Sequence, residues 1–163
     1  MAVGSASDPE VLTGWADYPG NDVSRVFLRA SAVALDDAGV LILGASGSGK
    51  SSLALALMAY GAQLVSDDGV IAEQRAAILH LVRPETAPPL IEARGIGLLN
   101  AGPVVSSVPL HLAVDLDTPE PDRLPPRRSV AFGAAEAELI RGAGAPTLAP
   151  AVIQMLRYGR AHL

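Results

Sequence analysis

The sequence of 163 residues is short of several residue types, and each shortage excludes a class of chemistry. It has no cysteine, which excludes disulfides, thiolate metal ligands and a cysteine nucleophile. Aromatic residues make up 4% and hydrophobic residues 50%, so the core must consist of Ala, Val, Leu and Ile. No apolar run is long enough to span a bilayer. The net charge of -5 argues against electrostatic binding of nucleic acid.

The length of the chain predicts one domain with a single core. Residues 1–22 are rich in Gly, Ser, Asp and Pro and predict a flexible N-terminal arm, which leaves residues 23–163 for the folded domain. The first eight residues lack a basic region followed by an apolar one, so we expect no signal peptide and a cytoplasmic location.

Lysine is also almost absent. The chain has eleven arginines but a single lysine, Lys50. A genome rich in G and C favours arginine codons, so a lysine that survives this bias indicates a position that arginine cannot fill. A compact ammonium group between phosphates is such a position, because the planar guanidinium differs in shape and reach.

Lys50 belongs to the pattern Gly-x4-Gly-Lys-Ser, which follows an apolar stretch, residues 40–43, and precedes a helical one, residues 51–60. Glycines let backbone N–H groups turn inward around an anion, and the positive end of the following helix points at the same place. Lys50 would bridge the outer phosphates of ATP, and the Ser51 hydroxyl would reach Mg²⁺. A chance glycine-serine turn is the alternative. The predicted nucleotide-binding residues are Gly44, Ala45, Ser46, Gly47, Ser48, Gly49, Lys50, Ser51 and Ser52.

The aliphatic composition suits buried strands covered by helices, and the residue pattern predicts short strands on both sides of the glycine loop. We therefore expect an α/β domain with a mixed sheet. Strands are predicted within residues 23–35, 40–43, 62–66, 70–72, 77–82 and 108–116, and a second helix over residues 150–163.

Asp67 and Asp68 directly follow the predicted strand at residues 62–66. If this strand runs parallel to residues 40–43, its carboxyl end lies beside the glycine loop. One carboxylate could then hold Mg²⁺ while the other accepts the proton of an attacking hydroxyl. A plain Asp-Asp-Gly turn is the alternative.

Two further segments carry charged candidates. Glu92 and Arg94 would share a face of an extended chain, and a surface ion pair is the simpler interpretation of their spacing. Residues 118–128 are rich in Pro and charge and predict a long mobile loop that contains Arg123.

Three blocks of the sequence, in order, resemble the catalytic domain of HPr kinase/phosphorylase, the bacterial enzyme that phosphorylates a serine of the phosphocarrier protein HPr. The blocks are the glycine loop, residues 64–68 (Leu-Val-Ser-Asp-Asp) and residues 91–100 (Ile-Glu-Ala-Arg-Gly-Ile-Gly-Leu-Leu-Asn). The last is similar to a family signature that generic P-loop proteins lack. Asp122-Arg123-Leu124 is similar to a segment of the family's mobile loop, so the resemblance covers about residues 26–128.

This resemblance implies a P-loop core of the HPr kinase type and an ATP- and Mg²⁺-dependent protein serine kinase. It implies that Asp67 is the base for the target serine and that Arg94 and Arg123 steady the transferring phosphate. Ser51, Asp68 and Glu92 would surround Mg²⁺. The resemblance also implies HPr as the substrate and a homo-oligomer, usually a hexamer.

The sequence departs from the family in several places. It is expected to be a short form without the usual N-terminal domain, as in alphaproteobacteria. Arg29-Ala30 stands where the family has His-Gly or His-Ala, and the late Pro-Gly-Arg-Asn segment is not visible, which weighs against the reverse phosphorylase reaction. Two rival interpretations are a small-molecule kinase on a similar scaffold and a non-catalytic nucleotide-binding switch. A switch needs magnesium ligands but no base such as Asp67.

Overall fold

The computed structural model describes residues 10–11 and 25–161, so most of the predicted N-terminal arm, residues 1–22, lies outside the described residues. The described ranges contain twelve strands and two helices. In chain order these are β1 (Glu10–Val11), β2 (Arg25–Leu28), β3 (Ser31–Leu35), β4 (Ala38–Leu43), α1 (Lys50–Ala59), β5 (Gln63–Ser66), β6 (Val70–Arg75), β7 (Ile78–Val82), β8 (Leu90–Ala93), β9 (Gly97–Asn100), β10 (Ser107–Asp115), β11 (Arg128–Phe132), β12 (Ala135–Arg141) and α2 (Leu148–Tyr158).

Ten of the strands form one mixed sheet in the order β1-β11-β12-β10-β4-β3-β5, with β7, β6 and β2 branching from β10. The branch is possible because β10 is nine residues long. Its first residues pair with β7 in antiparallel fashion, and its later residues pair with β4 and β12 in parallel. The remaining strands, β8 and β9, form a separate hairpin.

The apolar residues of the central strands alternate between two cores, as the two faces of a sheet require. Ile42 of β4 and Val114 of β10 pack with the helices, whereas Leu41 and Ala113 face the branch formed by β2, β6 and β7. The core on the helical side therefore holds α1 against one face of the sheet, and the glycine loop leads into α1 there. The structure confirms a mixed α/β fold with two helices.

The strand after α1 has the direction that the sequence argument required. β5 and β4 are both antiparallel to β3, which lies between them, so β4 and β5 run parallel to each other. Their carboxyl ends lie at the same edge of the sheet, and this edge carries both the glycine loop and the paired aspartates. The predicted antiparallel pair at residues 70–72 and 77–82 is also present, as β6 and β7.

Two hairpins were not anticipated from the sequence, that of β8 and β9 and that of β11 and β12. β11 and β12 form an antiparallel hairpin, with Gly133 at a φ of 60° in its turn, and β12 extends the central sheet beside β10. Within the described ranges, neither helix combines the length and the apolar character that crossing a membrane requires.

Candidate functional site

The glycine loop between β4 and α1 adopts a backbone shape that requires its glycines. Gly44, Gly47 and Gly49 have φ values of 154°, 81° and 101°, a region that residues with a side chain rarely adopt. A Cβ atom at Gly44 would also collide with the Ser48 hydroxyl. The loop closes on itself through the Ser48 N–H, which donates to the Ala45 carbonyl at 3.0 Å.

The N-terminus of α1 is left open toward this loop. Gly49 occupies the cap position without a side-chain hydrogen bond, and the first turn contains no acidic residue. The first N–H groups of a helix have no partner within the helix, and the helix dipole adds partial positive charge there. Both features favour an anion at the start of α1.

A cavity of about 660 Å³ lies against the loop and this helix end. Its wall contains backbone of the loop, two carboxylates and three cationic side chains. The lining residues are Arg29, Ser31, Gly44, Ala45, Ser46, Gly47, Gly49, Lys50, Ser51, Ser52, Asp68, Glu92 and Arg94. All predicted nucleotide-binding residues except Ser48 line it, and the Ser48 hydroxyl is buried without a hydrogen-bond partner in the described structure.

The Lys50 ammonium group folds back onto the loop that precedes it. It donates to the Gly44 carbonyl at 2.8 Å and to the Ala45 carbonyl at 3.0 Å. These two hydrogen bonds hold the ammonium group across the mouth of the loop. Anions that bind the loop amides would therefore meet its charge.

Asp67 is held beneath the cavity by two hydroxyl groups. Ser31 and Ser51 donate to its Oδ1 at 2.7 and 2.8 Å, and the Glu92 N–H donates to Oδ2 at 3.3 Å. Three elements that are remote in sequence, β3, α1 and β8, thus converge on one half-buried carboxylate. Ser31 is fully buried, and no pattern in the sequence singled it out.

Asp68, Glu92 and Arg94 complete the far wall of the cavity. Asp68 has a φ of 57°, a left-handed conformation that aspartate tolerates better than most residues. Glu92 lies in β8, whereas Arg94 lies in the turn that follows, so the two do not share the face of one extended strand. The described residues contain no cluster of three or more carboxylate or imidazole groups that could hold a metal.

Arg29 is a lining residue to which sequence reasoning assigned no role. Its guanidinium lies 5.8 Å from the centre of the Phe27 ring, and within the described ranges it has no ion-pair partner. The position was noticed as a departure from a family pattern, and only the connection from β2 to β3 brings it to the cavity. It adds a third positive charge to the wall.

Arg123 is not brought to this site. It is exposed and lies outside the cavity wall, in an irregular connection between β10 and β11. Glu120, within that connection, pairs with Arg128 at the start of β11, with Nε–Oε2 at 3.0 Å. The Arg128 hydrogen bond lowers the pKa of Glu120 below its usual value.

The arrangement combines an anion-binding loop with carboxylates that can bind a cation or accept a proton. Such a combination is typical of phosphoryl-transfer sites, where positioning and charge neutralisation provide most of the catalysis. The strand-loop-helix unit therefore defines the class as a mixed α/β protein with a candidate anion-binding site between β4 and α1.

Comparisons with known proteins identify the family. A family model described as the HPr Serine kinase C-terminal domain matches residues 23–121, and this chain belongs to that family, whose members include the HPr kinase/phosphorylase enzymes. The chain is 39% identical over 93 residues to the HPr kinase/phosphorylase of Brevibacillus brevis and 44% identical over 77 residues to that of Stenotrophomonas maltophilia K279a.

A solved structure supports the same fold. The Hpr(Ser) kinase/phosphatase from Coxiella burnetii is 26% identical and superposes with a TM-score of 0.64, covering 80% of this chain and 88% of that one. The sequence matches span 53% and 47% of this chain but only 30% and 24% of the Brevibacillus and Stenotrophomonas enzymes.

Proposed function

We propose that this protein is an ATP-dependent protein serine kinase that transfers the γ-phosphoryl group of ATP to a serine of HPr. The observation that carries the proposal is the shared cavity: the open end of α1, Lys50 and the carboxylates of Asp68 and Glu92 line one space, with Asp67 directly beneath it. Membership of the HPr kinase family supports the choice of acceptor.

The nucleotide half of the proposal rests on the loop. Its positive φ glycines and the uncapped start of α1 present N–H groups to the cavity, and Lys50 adds a positive charge that is held across the mouth of the loop. The predicted contact set, residues 44–52, would hold the phosphates of ATP. The Ser48 amide is already used within the loop, since it donates to the Ala45 carbonyl.

Magnesium would be held by Ser51, Asp68 and Glu92. Mg²⁺ prefers oxygen ligands, retains water and is usually bound by one or two carboxylates together with substrate phosphates, and these three residues all line the cavity. A bound Mg²⁺ supplies charge neutralisation of the phosphates.

Asp67 would accept the proton of the serine hydroxyl, and Arg94 and Arg123 would steady charge on the phosphate in transfer. Arg94 lines the cavity and has no ion-pair partner within the described residues. Arg123 would have to approach from its exposed position between β10 and β11.

One contact favours the reverse roles for the two aspartates. Asp67 accepts a hydrogen bond from Ser51, so it lies next to a proposed magnesium ligand, whereas the Asp68 carboxylate is open to the cavity. In that arrangement Asp68 would be the proton acceptor. Variants of each aspartate distinguish the two assignments.

The proposal includes assembly of the protein into a homo-oligomer, a hexamer, and a cytoplasmic location. The reverse phosphorylase reaction is expected to be weak, because the late Pro-Gly-Arg-Asn segment is not visible in the sequence.

The direct test is to incubate the protein with γ-labelled ATP, Mg²⁺ and HPr, and to locate any phosphate by mass spectrometry. We expect phosphoserine on HPr, and none with a variant of HPr that lacks the acceptor serine. Transfer to a small molecule but not to HPr would favour a small-molecule kinase on the same scaffold. MgATP binding without transfer to either acceptor would favour a nucleotide-binding switch.

A further inference from the structure

Asp117, two residues past the end of β10, is hydrogen-bonded to the glycine loop. The Ala45 N–H donates to both carboxylate oxygens of Asp117, at 2.9 Å to Oδ1 and 3.0 Å to Oδ2. Ala45 is the second residue of the loop, so this contact is made where the chain leaves β4.

The carboxylate is itself held in place by the end of β10. The Asp117 N–H donates to Asp115 Oδ1 at 2.8 Å, and the neighbouring Leu116 N–H donates to the Leu43 carbonyl at 2.9 Å. The pairing with β4 therefore continues for one residue beyond the end of β10, and the Asp117 side chain extends the connection to the loop. A rigid sheet edge thus fixes the start of a segment whose glycines would otherwise leave it many conformations.

The side from which Asp117 approaches decides what it can do. Ala45 lines the cavity, whereas Asp117 does not, so the carboxylate contacts the loop from behind its wall. A carboxylate inside the cavity would occupy an anion site and repel phosphates. From behind, it can orient the loop without blocking it, and an ionised acceptor makes this hydrogen bond stronger than a neutral one.

We propose that Asp117 is a positioning residue for nucleotide binding, which holds the glycine loop in the conformation that receives the phosphates of MgATP. The inference rests on the proposed kinase function and adds a residue outside the cavity to it. The loop would otherwise have to be ordered when the nucleotide binds, and that entropic cost would weaken binding.

The test compares Asp117→Ala and Asp117→Asn with Asp37→Asn, which removes the same charge from the turn between β3 and β4. MgATP affinity is measured by calorimetry, and KM and kcat are measured with HPr. We expect Asp117→Ala to raise the Kd and KM for MgATP on the order of tenfold, with kcat at saturation changed less than about threefold.

Asp117→Asn should give an intermediate loss of MgATP affinity, since the Asn side chain has one oxygen that can accept the Ala45 N–H where Asp117 has two. Asp37→Asn should bind MgATP as the unaltered protein does. If Asp117→Ala folds poorly, as judged by thermal unfolding without nucleotide, the isosteric Asn variant alone decides.

Unchanged or tighter MgATP binding by the Asp117 variants would overturn the inference while leaving the kinase proposal intact. An equal loss of MgATP affinity in Asp37→Asn would do the same. A fall in kcat with an unchanged KM would also overturn it. If the unaltered protein does not bind MgATP, the proposed function fails and the inference fails with it.

Discussion

Lys50 connects the composition of the chain to the geometry of its site. The one lysine among twelve basic residues lies at the start of α1, where its ammonium group bonds to two carbonyls of the glycine loop. A guanidinium could not make the same compact contact, because its charge is spread over a planar fork.

We expect Lys50→Ala to weaken MgATP binding at least about a hundredfold while the protein stays folded. Removing charge-assisted hydrogen bonds to phosphate costs about 3 kcal/mol, which corresponds to that factor. Calorimetric titration measures the affinity, and circular dichroism checks the fold. Arg75→Ala, which removes an exposed positive charge far from the loop, is the matched control. Normal MgATP affinity in Lys50→Ala would contradict the nucleotide site.

The paired aspartates are the second test at the residue scale. We expect Asp67→Asn to lower phosphoryl transfer about a hundredfold or more and to keep nucleotide binding, since Asn retains the size but cannot act as the base. Asp68→Asn should mainly raise the Mg²⁺ concentration that the reaction requires. Transfer rates are measured across a magnesium titration. Near-normal turnover by Asp67→Asn together with a purely catalytic defect in Asp68→Asn would reverse the two roles. If both variants remained active on the acceptor, the kinase mechanism itself would be wrong.

At the scale of elements, the connection between β10 and β11 is irregular but is tied to its surroundings at two points. Arg123 is exposed, while Glu120 pairs with Arg128 of β11, and both of these side chains are only 15% exposed. Arg160 of the segment after α2 adds a hydrogen bond to the Pro125 carbonyl at 2.9 Å.

The Glu120–Arg128 pair predicts a pH-dependent contribution to stability. The pKa of Glu120 is lowered, first by the hydrogen bond from Arg128, so the pair stabilises the fold above the usual glutamate pKa of 4.5. This contribution is lost as the pH falls through the lowered value. We expect Glu120→Gln to reduce the free energy of unfolding by about 1 kcal/mol at pH 7, and the difference to shrink progressively as the pH falls below 4.5. Thermal unfolding across this range measures it, with exposed Glu136→Gln as control. A difference between Glu120→Gln and the unaltered protein that does not change as the pH falls would point to packing.

Mobility of residues 118–128 remains a prediction that hydrogen exchange can test. We expect fast exchange of the amides around Arg123 without ligands, because the segment has few apolar side chains to hold it. Exchange should slow when MgATP and HPr are both present, if Arg123 moves to the transferring phosphate. Strong protection of this segment in the free protein would contradict the prediction.

At the scale of the whole molecule, the apolar surface of the β8–β9 hairpin is relevant to assembly. Ile96 and Leu98 are 79% and 69% exposed. A single exposed apolar side chain needs no explanation, but these two lie on one hairpin, which also carries Glu92 at the cavity.

We expect the protein to sediment as a homo-oligomer, as a hexamer if the family's usual state holds. Replacing Ile96 and Leu98 together by Ser should shift the distribution toward smaller species if the hairpin contributes to assembly. Analytical ultracentrifugation at several concentrations measures the mass, and Leu124→Ser, at another exposed leucine, is the control. A monomer at all concentrations would contradict the proposed oligomer.

Much of this molecule could be predicted from local patterns. Alternating apolar residues marked β3 and β10, and a short continuous apolar run marked β4. The glycine loop with its helix followed from one short motif. The hairpin of β11 and β12 was not predicted, because residues 134–138 are rich in Ala and Glu, which favour a helix locally. Pairing with β10 and burial of Ala135, Ala137 and Leu139 decided in favour of a strand.

The sequence by itself determined the glycine loop, the acidic pair and the membership of a kinase family, because each depends on residues that are neighbours in the chain. The tertiary structure alone decided that Ser31 bonds to Asp67, that Arg29 lines the cavity and that Asp117 holds Ala45, contacts that span up to 72 residues. Strand order and register set these contacts. Local periodicity specifies which face of a strand is buried, but not which strand lies beside it.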